Sequence, residues 1–423
     1  MIVPSIDLLG GRTVQLVGGE RLSLEAGDPR PIAERFRVAG EIAVVDLDAA
    51  LGSGSNAPMV RDLLRVARCR VGGGIRDERT AIEWLDAGAS SIVLGTAATP
   101  DLLRRLPRER VIAALDARDG EVVVEGWKIG TGETIIDRMR RLEGLVGGFL
   151  ITFVEREGRL GGTRLDLVPA LVRAAGSARV TIAGGITTAR EVGVLDEMGA
   201  DAQVGMALYT GRLDLADAIG APLRSDRPDA LWPTVIVDEL GVALGLAYSS
   251  ADSLRDAVRT RRGVYHSRTR GLWVKGATSG DTQELIAVDV DCDRDCLRFV
   301  VRQRGRGHCH RGTRTCWGPH AGLPALADRI DRAAAIGEPA SYTARLLADR
   351  ALLNAKLREE AVELGEASVA EDAVHEAADV LYFTLVALRR AGKTLADVGA
   401  ELDRRALRIT RRGGDAKPGG SVS

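Results

Sequence analysis

The sequence is poor in aromatic residues and in histidine. Only 4% of its 423 residues are Phe, Trp or Tyr, and none of its five histidines lies in residues 1–265. Proton transfer in that part of the chain therefore has to rely on carboxylates, lysine or tyrosine. A run of eighteen apolar residues occurs nowhere, and the opening MIVPSIDLLGG has neither the basic nor the apolar segment of a secretion signal. These absences argue against secretion and membrane spanning, and we expect a cytoplasmic protein without a membrane partner.

Neither sign of charge is in excess. Lys and Arg together number 58 and Asp and Glu 59, which gives a formal net charge of -1. Since binding to a phosphate backbone needs clustered cations, we expect no nucleic-acid partner. Four of the five cysteines lie between Cys292 and Cys316, and only Cys69 lies elsewhere. This clustering indicates a metal site rather than a disulfide framework.

Residues 1–220 show the alternation that is typical of a parallel α/β fold. Short β-branched or apolar runs alternate with longer stretches of helical period. One pattern occurs twice: VGGGIR (71–76) is followed by VLGTA (93–97), and IAGGIT (182–187) is followed by QVGMA (203–207). Because this repeat suggests two similar half-barrels, we predict a closed (βα)8 TIM barrel over residues 1–220 rather than an open Rossmann sheet.

Composition divides the rest of the chain into four segments. The polar, turn-rich residues 221–230 are predicted to be a linker. Histidine, cysteine, tryptophan and strand-like runs concentrate in 231–320, which predicts a small, mainly β, metal-binding domain. Residues 321–412 are predicted to form an all-α helical domain, and 413–423 a disordered tail. The predicted helices of that domain are 323–334, 343–369, 371–391 and 394–410.

Glycine-rich turns follow a strand-like run in both copies of the repeat. Such turns let the backbone approach a phosphate closely, and a following helix N-terminus adds N–H donors. Two turns suggest a substrate with two phosphates; the alternative is that the glycines only form tight strand-to-helix turns. The predicted phosphate contacts are Gly73, Gly74, Gly95 and Thr96 in the first copy and Gly184, Gly185 and Gly205 in the second.

Two aspartates, Asp7 and Asp116, each end an apolar run, IVPSI and VIAAL respectively. Each is therefore expected at the carboxyl-terminal mouth of its strand, where barrel enzymes keep their chemistry. An aspartate in this position can also be only a cap or turn residue. The position alone leaves both interpretations open.

The motifs PSIDLLGGRTVQL, VDLDAALG, GGGIR and LDARDG with a following GW make residues 1–215 resemble the phosphoribosylformimino-aminoimidazole carboxamide ribotide isomerase family. The resemblance implies an Amadori rearrangement, which needs an acid to open a furanose ring and a base to take the C2' proton. It further implies that Asp7 is the base and Asp116 the acid, with Trp127 and Thr152 near the substrate. The sequence departs from the family at 157–159, where Glu-Gly-Arg replaces Asp-Gly-Thr.

The segment VDVDCDRDC indicates two kinds of metal ligand. If it is extended, Asp291, Asp293 and Asp295 share one face and Cys292 points to the other. Carboxylates suit Mg2+ and thiolates suit Zn2+. Cys309 and Cys316 follow; three cysteines with an open position describe a catalytic zinc, whereas Cys296 as a fourth ligand describes a structural one.

The motifs SRTRGLWVKGATSGDTQ, DCDRD and CHRGTRTCW make residues 231–319 resemble phosphoribosyl-AMP cyclohydrolase. The resemblance implies that Cys292, Cys309 and Cys316 bind zinc, with Cys292 donated across a homodimer interface, and that the three aspartates hold Mg2+. It implies that His310 is the base for purine ring opening. Ala277 stands where this motif often has glutamate. The residues expected to bind the nucleotide are Arg268, Arg270, Trp273, Lys275 and Ser279.

Four carboxylates occur in two pairs on consecutive predicted helices. Glu360 and Glu363 are three residues apart, as are Glu376 and Asp379, so each pair shares a helix face. Two antiparallel helices could bring all four around Mg2+ and a pyrophosphate; the alternative is a pair of solvated helix faces. The motifs SYTARLL, EEAVEL and EAADVLY make residues 322–410 resemble phosphoribosyl-ATP pyrophosphohydrolase.

Together the three resemblances imply a fusion enzyme of histidine biosynthesis. Its substrates would be small phosphoribosyl nucleotides, handled in three consecutive steps. Two competing hypotheses stay open. The barrel could isomerise phosphoribosylanthranilate, because that reaction needs the same acid and base. The C-terminal half could instead be a non-catalytic zinc and dimerisation module.

Overall fold

The computed structural model describes residues 1–19, 21–124, 127, 129–336 and 341–410, and the predicted tail 413–423 lies outside them. The strands are β1 (Ile2–Leu9), β2 (Arg12–Val17), β3 (Arg21–Gly27), β4 (Glu41–Asp46), β5 (Arg68–Gly72), β6 (Ser91–Leu94), β7 (Val111–Arg118), β8 (Glu121–Val124), β9 (Ile129–Thr134), β10 (Gly148–Phe153), β11 (Arg179–Ala183), β12 (Ala200–Val204), β13 (Trp232–Val237), β14 (Ala243–Ser249), β15 (Val264–Ser267), β16 (Gly271–Val274), β17 (Gln283–Val290) and β18 (Leu297–Gln303). The α-helices are α1 (Pro29–Phe36), α2 (Leu47–Leu51), α3 (Ala57–Val66), α4 (Glu78–Ala87), α5 (Pro100–Leu103), α6 (Ile135–Leu142), α7 (Val168–Ala175), α8 (Ala189–Glu197), α9 (Met206–Tyr209), α10 (Leu215–Gly220), α11 (Ala251–Thr260), α12 (Gly322–Ile336), α13 (Tyr342–Ala348), α14 (Arg350–Glu366), α15 (Ala370–Arg390) and α16 (Leu395–Ala406).

Eight parallel strands of residues 1–220 close into a barrel. Around the ring the order is β1, β4, β5, β6, β7, β10, β11 and β12, and β12 pairs back to β1. Between β7 and β10, Asp116 lies opposite Thr152. Two antiparallel strand pairs extend from the ring: β2–β3 follows β1, and β8–β9 follows β7. The predicted TIM barrel is therefore confirmed.

The repeated glycines make equivalent contacts in the two halves of the barrel. Gly73 and Gly184 have φ values of +98° and +93°, a region that side chains rarely adopt. A Cβ at Gly73 would lie 2.2 Å from the carbonyl oxygen of Asp46, and one at Gly184 would lie 2.6 Å from that of Phe153. Each turn thus packs against the end of the preceding barrel strand, which only glycine permits.

A buried ion pair lies inside the barrel. The side chain of Arg70 is 1% exposed and donates to Glu41 Oε2 at 2.6 Å and to Thr181 Oγ1 at 3.0 Å. Ser90 Oγ donates to the other Glu41 oxygen at 2.6 Å. Burial opposes ionisation of Glu41, but the nearby Arg70 and these hydrogen bonds outweigh it, and the pKa of Glu41 is lowered.

We expect Arg70→Met to destabilise the protein by about 3–5 kcal/mol, because it leaves the Glu41 carboxylate buried without its partner. The matched control is Arg68→Met, since the Arg68 side chain is 71% exposed and lies 3.8 Å from the same carboxylate. The control should change stability by no more than about 0.5 kcal/mol. The free energy of unfolding, measured by denaturant titration, checks both. Similar values for the two variants would contradict the expectation.

Residues 231–320 form the expected mainly β unit. The mixed sheet has the order β14, β13, β18, β17, and the hairpin β15–β16 and helix α11 complete the unit. Its core contains Tyr265 and Phe299, both fully buried, with ring centroids 5.6 Å apart.

The segment VDVDCDRDC is extended only at residues 288–290, so the condition for a shared strand face of the three aspartates is not met. Strand β17 ends at Val290, which pairs with Leu297, so residues 291–296 form a loop. The Asp291 carboxylate accepts the backbone N–H groups of Asp295 and Cys296 at 3.0 and 3.1 Å. These side-chain to backbone hydrogen bonds satisfy N–H groups that would otherwise pair with a neighbouring strand. The alternation of residue types in the sequence does not reveal such bonds.

The described residues 322–336 and 341–406 are mainly helical, as expected, but the single helix predicted at 343–369 is two helices. The break falls at Asp349, whose carboxylate accepts the N–H groups of Ala351 and Leu352 at 2.9 and 3.0 Å and so caps α14. None of the described helices combines the length and apolarity needed to cross a bilayer. The small core of this unit consists of Ile330, Leu346, Leu353, Phe383, Leu385 and Val386.

Both C-terminal units contact the same end of the barrel. Arg294 Nε and Nη2 lie 2.9 and 3.1 Å from the Asp196 carboxylate in α8. Arg261 donates to the backbone oxygen of Glu34 in α1 at 2.9 Å. From the helical unit, Ile409 N donates to Asp86 in α4 at 2.7 Å. All three acceptors lie near the C-termini of their barrel helices, opposite the carboxyl ends of the barrel strands.

Candidate active sites

The barrel mouth encloses a cavity of about 960 Å³ at the carboxyl ends of the strands. Barrel enzymes place their chemistry at this end. Asp7 enters the cavity from β1, and Asp116 enters from β7. All the barrel residues predicted to act on or bind substrate line it: Asp7, Gly73, Gly74, Gly95, Thr96, Asp116, Trp127, Thr152, Gly184, Gly185 and Gly205.

Asp7 is held in place by two donors. Ser5 Oγ donates to Oδ1 at 2.8 Å, and Gln15 Nε2 donates to Oδ2 at 3.2 Å. Removal from water raises the pKa of Asp7 to about 6, and the two hydrogen bonds offset only part of that effect. A carboxylate with this pKa is ionised at neutral pH and is more basic than an ordinary aspartate, so it can accept a proton.

Asp116 has a second set of partners. Burial raises its pKa, while hydrogen bonds with Trp127 and Thr152 oppose the rise. The Trp127 ring packs on Gly19, where a Cβ would lie 2.3 Å from a ring carbon. The two residues that the sequence predicted near the substrate therefore also position a carboxyl group.

A third carboxyl group, Glu157, lies in the same cavity and was not assigned a role from the sequence. Burial, together with the charges of Asp7 and Asp116, raises the pKa of Glu157 to about 8. Its loop is held against β2, because Gly18 N donates to the Glu157 carbonyl at 3.3 Å. The sequence does contain a signal for this role, because Glu157 stands at a position where the isomerase family has another carboxylate, aspartate. A group protonated at neutral pH beside two ionisable aspartates can donate a proton.

The glycine turns present open backbone to the cavity. A Cβ at Gly95 would meet nothing within 4 Å, so a ligand can approach the backbone there. Gly205 directly precedes α9, and Gly185 precedes Ile186 and the turn into α8. Turns of this kind with a following helix start bind phosphate through backbone N–H groups.

In the middle unit, Cys309 and Cys316 lie together. Hydrogen bonds from the Arg311 backbone and from Thr313 lower the pKa of Cys309, whereas burial and the neighbouring Cys309 raise that of Cys316. Lys275 is buried beside both sulfurs, and burial lowers its pKa. Two thiols next to a buried cation fit a soft metal such as zinc.

The remaining two cysteines lie on the 291–296 loop. Cys292 is exposed, and its sulfur lies 3.9 Å from Asp293 Oδ1. Cys296 is half-buried and donates to the Leu297 carbonyl at 3.6 Å. Within the described residues of one chain, no three cysteines bring their sulfurs within ligand distance of one another. Neither the three-cysteine nor the four-cysteine site is therefore complete in a single chain.

The three loop aspartates converge although the loop is not a strand. One carboxylate oxygen each of Asp291, Asp293 and Asp295 lies within 4.8 Å of the others. The charge of Asp293, with burial and Asp291, raises the pKa of Asp295. Crowded carboxylate oxygens are a donor set that suits Mg2+.

The residues predicted to bind nucleotide are dispersed in this chain. Arg268 and Arg270 lie in the exposed turn between β15 and β16, with their guanidinium carbons 4.9 Å from the Tyr248 ring and 5.9 Å from the Trp273 ring. Arg268 lines a separate cavity of about 530 Å³. Ser279 Oγ accepts the Asp281 N–H at 3.2 Å. Of the predicted set, only Lys275 is brought to the cysteine pair.

The predicted base His310 follows Cys309 directly. Its side chain is exposed, and its Nδ1 lies 4.0 Å from the Cys309 sulfur. The imidazole is thus near the thiol pair and open to a substrate from solvent.

The helical unit brings the predicted carboxylates together. Glu360, Glu376 and Asp379 each offer an oxygen within 4.8 Å of the others, and Glu360 and Glu363 do so with Glu359. Glu360 is 5% exposed, and Lys356 Nζ lies 2.8 Å from it. Burial and the charges of Glu360 and Glu376 raise the pKa of Glu363. Such a set fits Mg2+, which would relieve the mutual repulsion.

Three family models match the chain in succession. Residues 1–214 match the model described as histidine biosynthesis protein, residues 245–318 match phosphoribosyl-AMP cyclohydrolase, and residues 323–406 match phosphoribosyl-ATP pyrophosphohydrolase. The first match covers half of the chain.

Similar proteins include a histidine biosynthesis trifunctional protein of Neurospora crassa, 49% identical over 207 residues, which are 49% of this chain and 24% of the relative. A histidine biosynthesis bifunctional protein of Schizosaccharomyces pombe is also 49% identical over 207 residues, 49% of each chain. An imidazole-4-carboxamide isomerase of Methanoregula boonei is 42% identical over 234 residues, 52% of this chain and 98% of the relative. The matched region thus spans about a quarter to a half of the two longer relatives.

Proposed function

Because the chain belongs to the histidine biosynthesis protein family, we propose that it catalyses three consecutive steps of that pathway. The helical unit hydrolyses phosphoribosyl-ATP to phosphoribosyl-AMP and pyrophosphate, the middle unit opens the adenine ring, and the barrel isomerises the product. The observation that carries the proposal is the match of three regions of one chain to families of consecutive reactions. The regions stand in the chain in the reverse of the reaction order.

In the barrel, Asp7 takes the C2' proton and Asp116 protonates the ring oxygen as the furanose opens. The raised pKa of Asp7, about 6, supports its role as base. Glu157, with a pKa raised to about 8, is a second proton donor for the same step. The glycine turns of the two halves hold the two phosphates through backbone N–H groups, and so fix the sugar between the carboxyl groups.

In the middle unit, the thiolates of Cys309 and Cys316 would hold zinc together with Cys292 of a second copy. Zinc supplies Lewis acidity for the attack of water on the purine when it is bound. His310 accepts the proton of that water, and Lys275 balances the charge of the thiolates. Asp291, Asp293 and Asp295 would hold Mg2+, whose charge would favour binding of the nucleotide phosphate. We infer a homodimer through this unit; in support, the described residues of one chain do not bring three cysteine sulfurs within ligand distance of one another.

In the helical unit, Glu360, Glu363, Glu376 and Asp379 hold Mg2+. Mg2+ bound there would supply positive charge for the leaving pyrophosphate. Lys356, which contacts Glu360 and Glu359, keeps these side chains facing the cluster. We place the protein in the cytoplasm, since five free cysteines and a thiolate zinc site suit a reducing compartment.

Purified protein incubated with phosphoribosyl-ATP, Mg2+ and Zn2+ should release pyrophosphate and accumulate the isomerised product. Glu363→Gln or Asp379→Asn should lower pyrophosphate release by at least about a hundredfold, because the cation loses a charged ligand. Both variants should turn over supplied phosphoribosyl-AMP normally, which is the internal control. Product identification by mass spectrometry checks each step. Unchanged pyrophosphate release in both variants would remove these carboxylates from the reaction.

A further inference from the structure

His308 lies beside the cysteine pair and has no part in the chemistry described so far. It directly precedes Cys309, and it is 6% exposed. Its ring and the Cys316 sulfur both pack on Gly245 of β14. A Cβ at Gly245 would lie 2.6 Å from His308 Nε2 and 3.0 Å from Cys316 Sγ. Glycine at this position therefore allows the imidazole edge and the sulfur to approach the same point.

A chain of buried amides fixes the proton position on this imidazole. Gln303 Nε2 donates to the carbonyl oxygens of Thr282 and Arg304 at 3.2 and 2.6 Å. Because carbonyls only accept, the Gln303 amide has one possible orientation, with Oε1 facing Gln283. Gln283 Nε2 donates to that oxygen at 2.9 Å, which fixes the second amide as well.

The same Gln283 nitrogen lies 3.0 Å from His308 Nδ1, and Gln283 Oε1 accepts from the Tyr265 hydroxyl at 2.6 Å. A side-chain amide nitrogen only donates, so Nδ1 must be the acceptor. A neutral imidazole with an accepting Nδ1 carries its proton on Nε2. The N–H of His308 is thereby directed to the side of the ring that faces Gly245 and Cys316.

We propose that His308 is a positioning residue of the zinc centre, which donates its Nε2–H to the Cys316 thiolate. This inference rests on the proposed zinc site. A hydrogen bond to a charged sulfur is stronger than one between neutral groups, and it orients the sulfur lone pairs for the metal. Through the Gln303–Gln283–His308 chain, two backbone carbonyl groups thus fix the position of the N–H that contacts a metal ligand.

The test is zinc affinity, measured by chelator competition on the full chain, together with the thiolate-to-metal absorption of the Co2+-loaded protein. His308→Phe should weaken zinc binding by about 10- to 100-fold and shift the Co2+ band. His308→Gln, whose amide can reach the Nε2 position, should recover most of the affinity. Gln283→Glu replaces the donor with an acceptor, so it should move the proton to Nδ1 and shift the band without removing the ring. His320, whose Nε2 lies 3.2 Å from Asp328 of α12, provides the control, and His320→Phe should leave both readouts unchanged.

Isomerase activity of each variant reports that the barrel is folded, and the free energy of unfolding measured by denaturant titration reports whether the middle unit is folded. A wild-type protein that holds no zinc would refute the proposed zinc site itself. A wild-type protein that holds zinc, with His308→Phe within about twofold of its affinity and with an unchanged Co2+ band, would refute only the role of His308. His308→Phe and His308→Gln could lose the same zinc affinity while Gln283→Glu leaves the Co2+ band unchanged. That result would refute the N–H donor and would assign the effect of His308 to packing.

Discussion

Asp7→Asn should lower the rate of isomerisation by about a thousandfold, within the range that a general base contributes. The amide keeps the size of the side chain and can still contact Ser5 and Gln15, but it cannot take a proton. Asp116→Asn should have a comparable effect, since Thr152 and Trp127 would hold an amide that has no acidic proton. The rates are measured on the isolated aminoaldose intermediate.

The same variants contain their own control. Ring opening of supplied phosphoribosyl-AMP should be unchanged, because the barrel carboxylates take no part in it. In the wild type, the rate should rise as the pH passes about 6, where Asp7 becomes ionised, and fall as it passes about 8, where Glu157 loses its proton. The rising limb should vanish from the residual activity of Asp7→Asn. Isomerisation within about tenfold of wild type, a barrier change of only about 1.4 kcal/mol, would overturn the assignment.

Loss of zinc and of ring opening is the second large effect that we expect, from Cys309→Ser and Cys316→Ser. Only a thiolate competes well for zinc here, so each change should weaken zinc binding by more than the 10- to 100-fold that is usual for a residue outside the ligand set. Cys292→Ser should behave in the same way. Cys296→Ser should retain zinc and activity, because an open coordination position is needed for catalysis. Metal analysis and ring-opening assays of the four variants compare them directly.

Mixing two inactive variants tests whether the site is shared between copies. In a mixed dimer of Cys292→Ser with Cys309→Ser, one of the two sites would contain all three cysteines. Random reassociation should therefore restore about a quarter of wild-type ring opening. No recovery on mixing would contradict a shared site. Loss of zinc from Cys296→Ser as complete as from the others would instead identify a closed structural site.

The sequence predicts the barrel well because its signals are local and repeated. Strand period, the Gly73 and Gly184 turns and the position of Asp7 at a strand end are properties of short segments. The role of Glu157 is not a property of a short segment, since its high pKa arises from burial in the cavity and from the charges of Asp7 and Asp116, which are distant in sequence. His308 was missed for the same reason, because its environment is made by Gly245 and Gln283 on other strands.

The single helix at 343–369 and the extended acidic segment were both expected from residue spacing, and both were interrupted by an aspartate. Each aspartate accepts backbone N–H groups and changes the direction of the chain, while the spacing of apolar and polar residues continues unchanged. Asp349 ends one helix and starts the next within a stretch of uniform helical character. Asp291 folds the acidic segment into a loop, yet the three carboxylates still converge. Residue spacing thus predicted which groups meet in the acidic loop, although it predicted the wrong backbone between them.

The attachment of both C-terminal units to one end of the barrel decides how an intermediate travels. Arg294, Arg261 and Ile409 all contact the end opposite the cavity that contains Asp7. On the proposed function, a ring-opened molecule that leaves the cysteine pair must pass through bulk water around the barrel before the same chain can isomerise it. Fusion then ensures that the three units are made in equal numbers, but it does not channel the intermediate from one active site to the next. Product formation from phosphoribosyl-AMP should accordingly show a lag, and an added scavenger of the intermediate should intercept it.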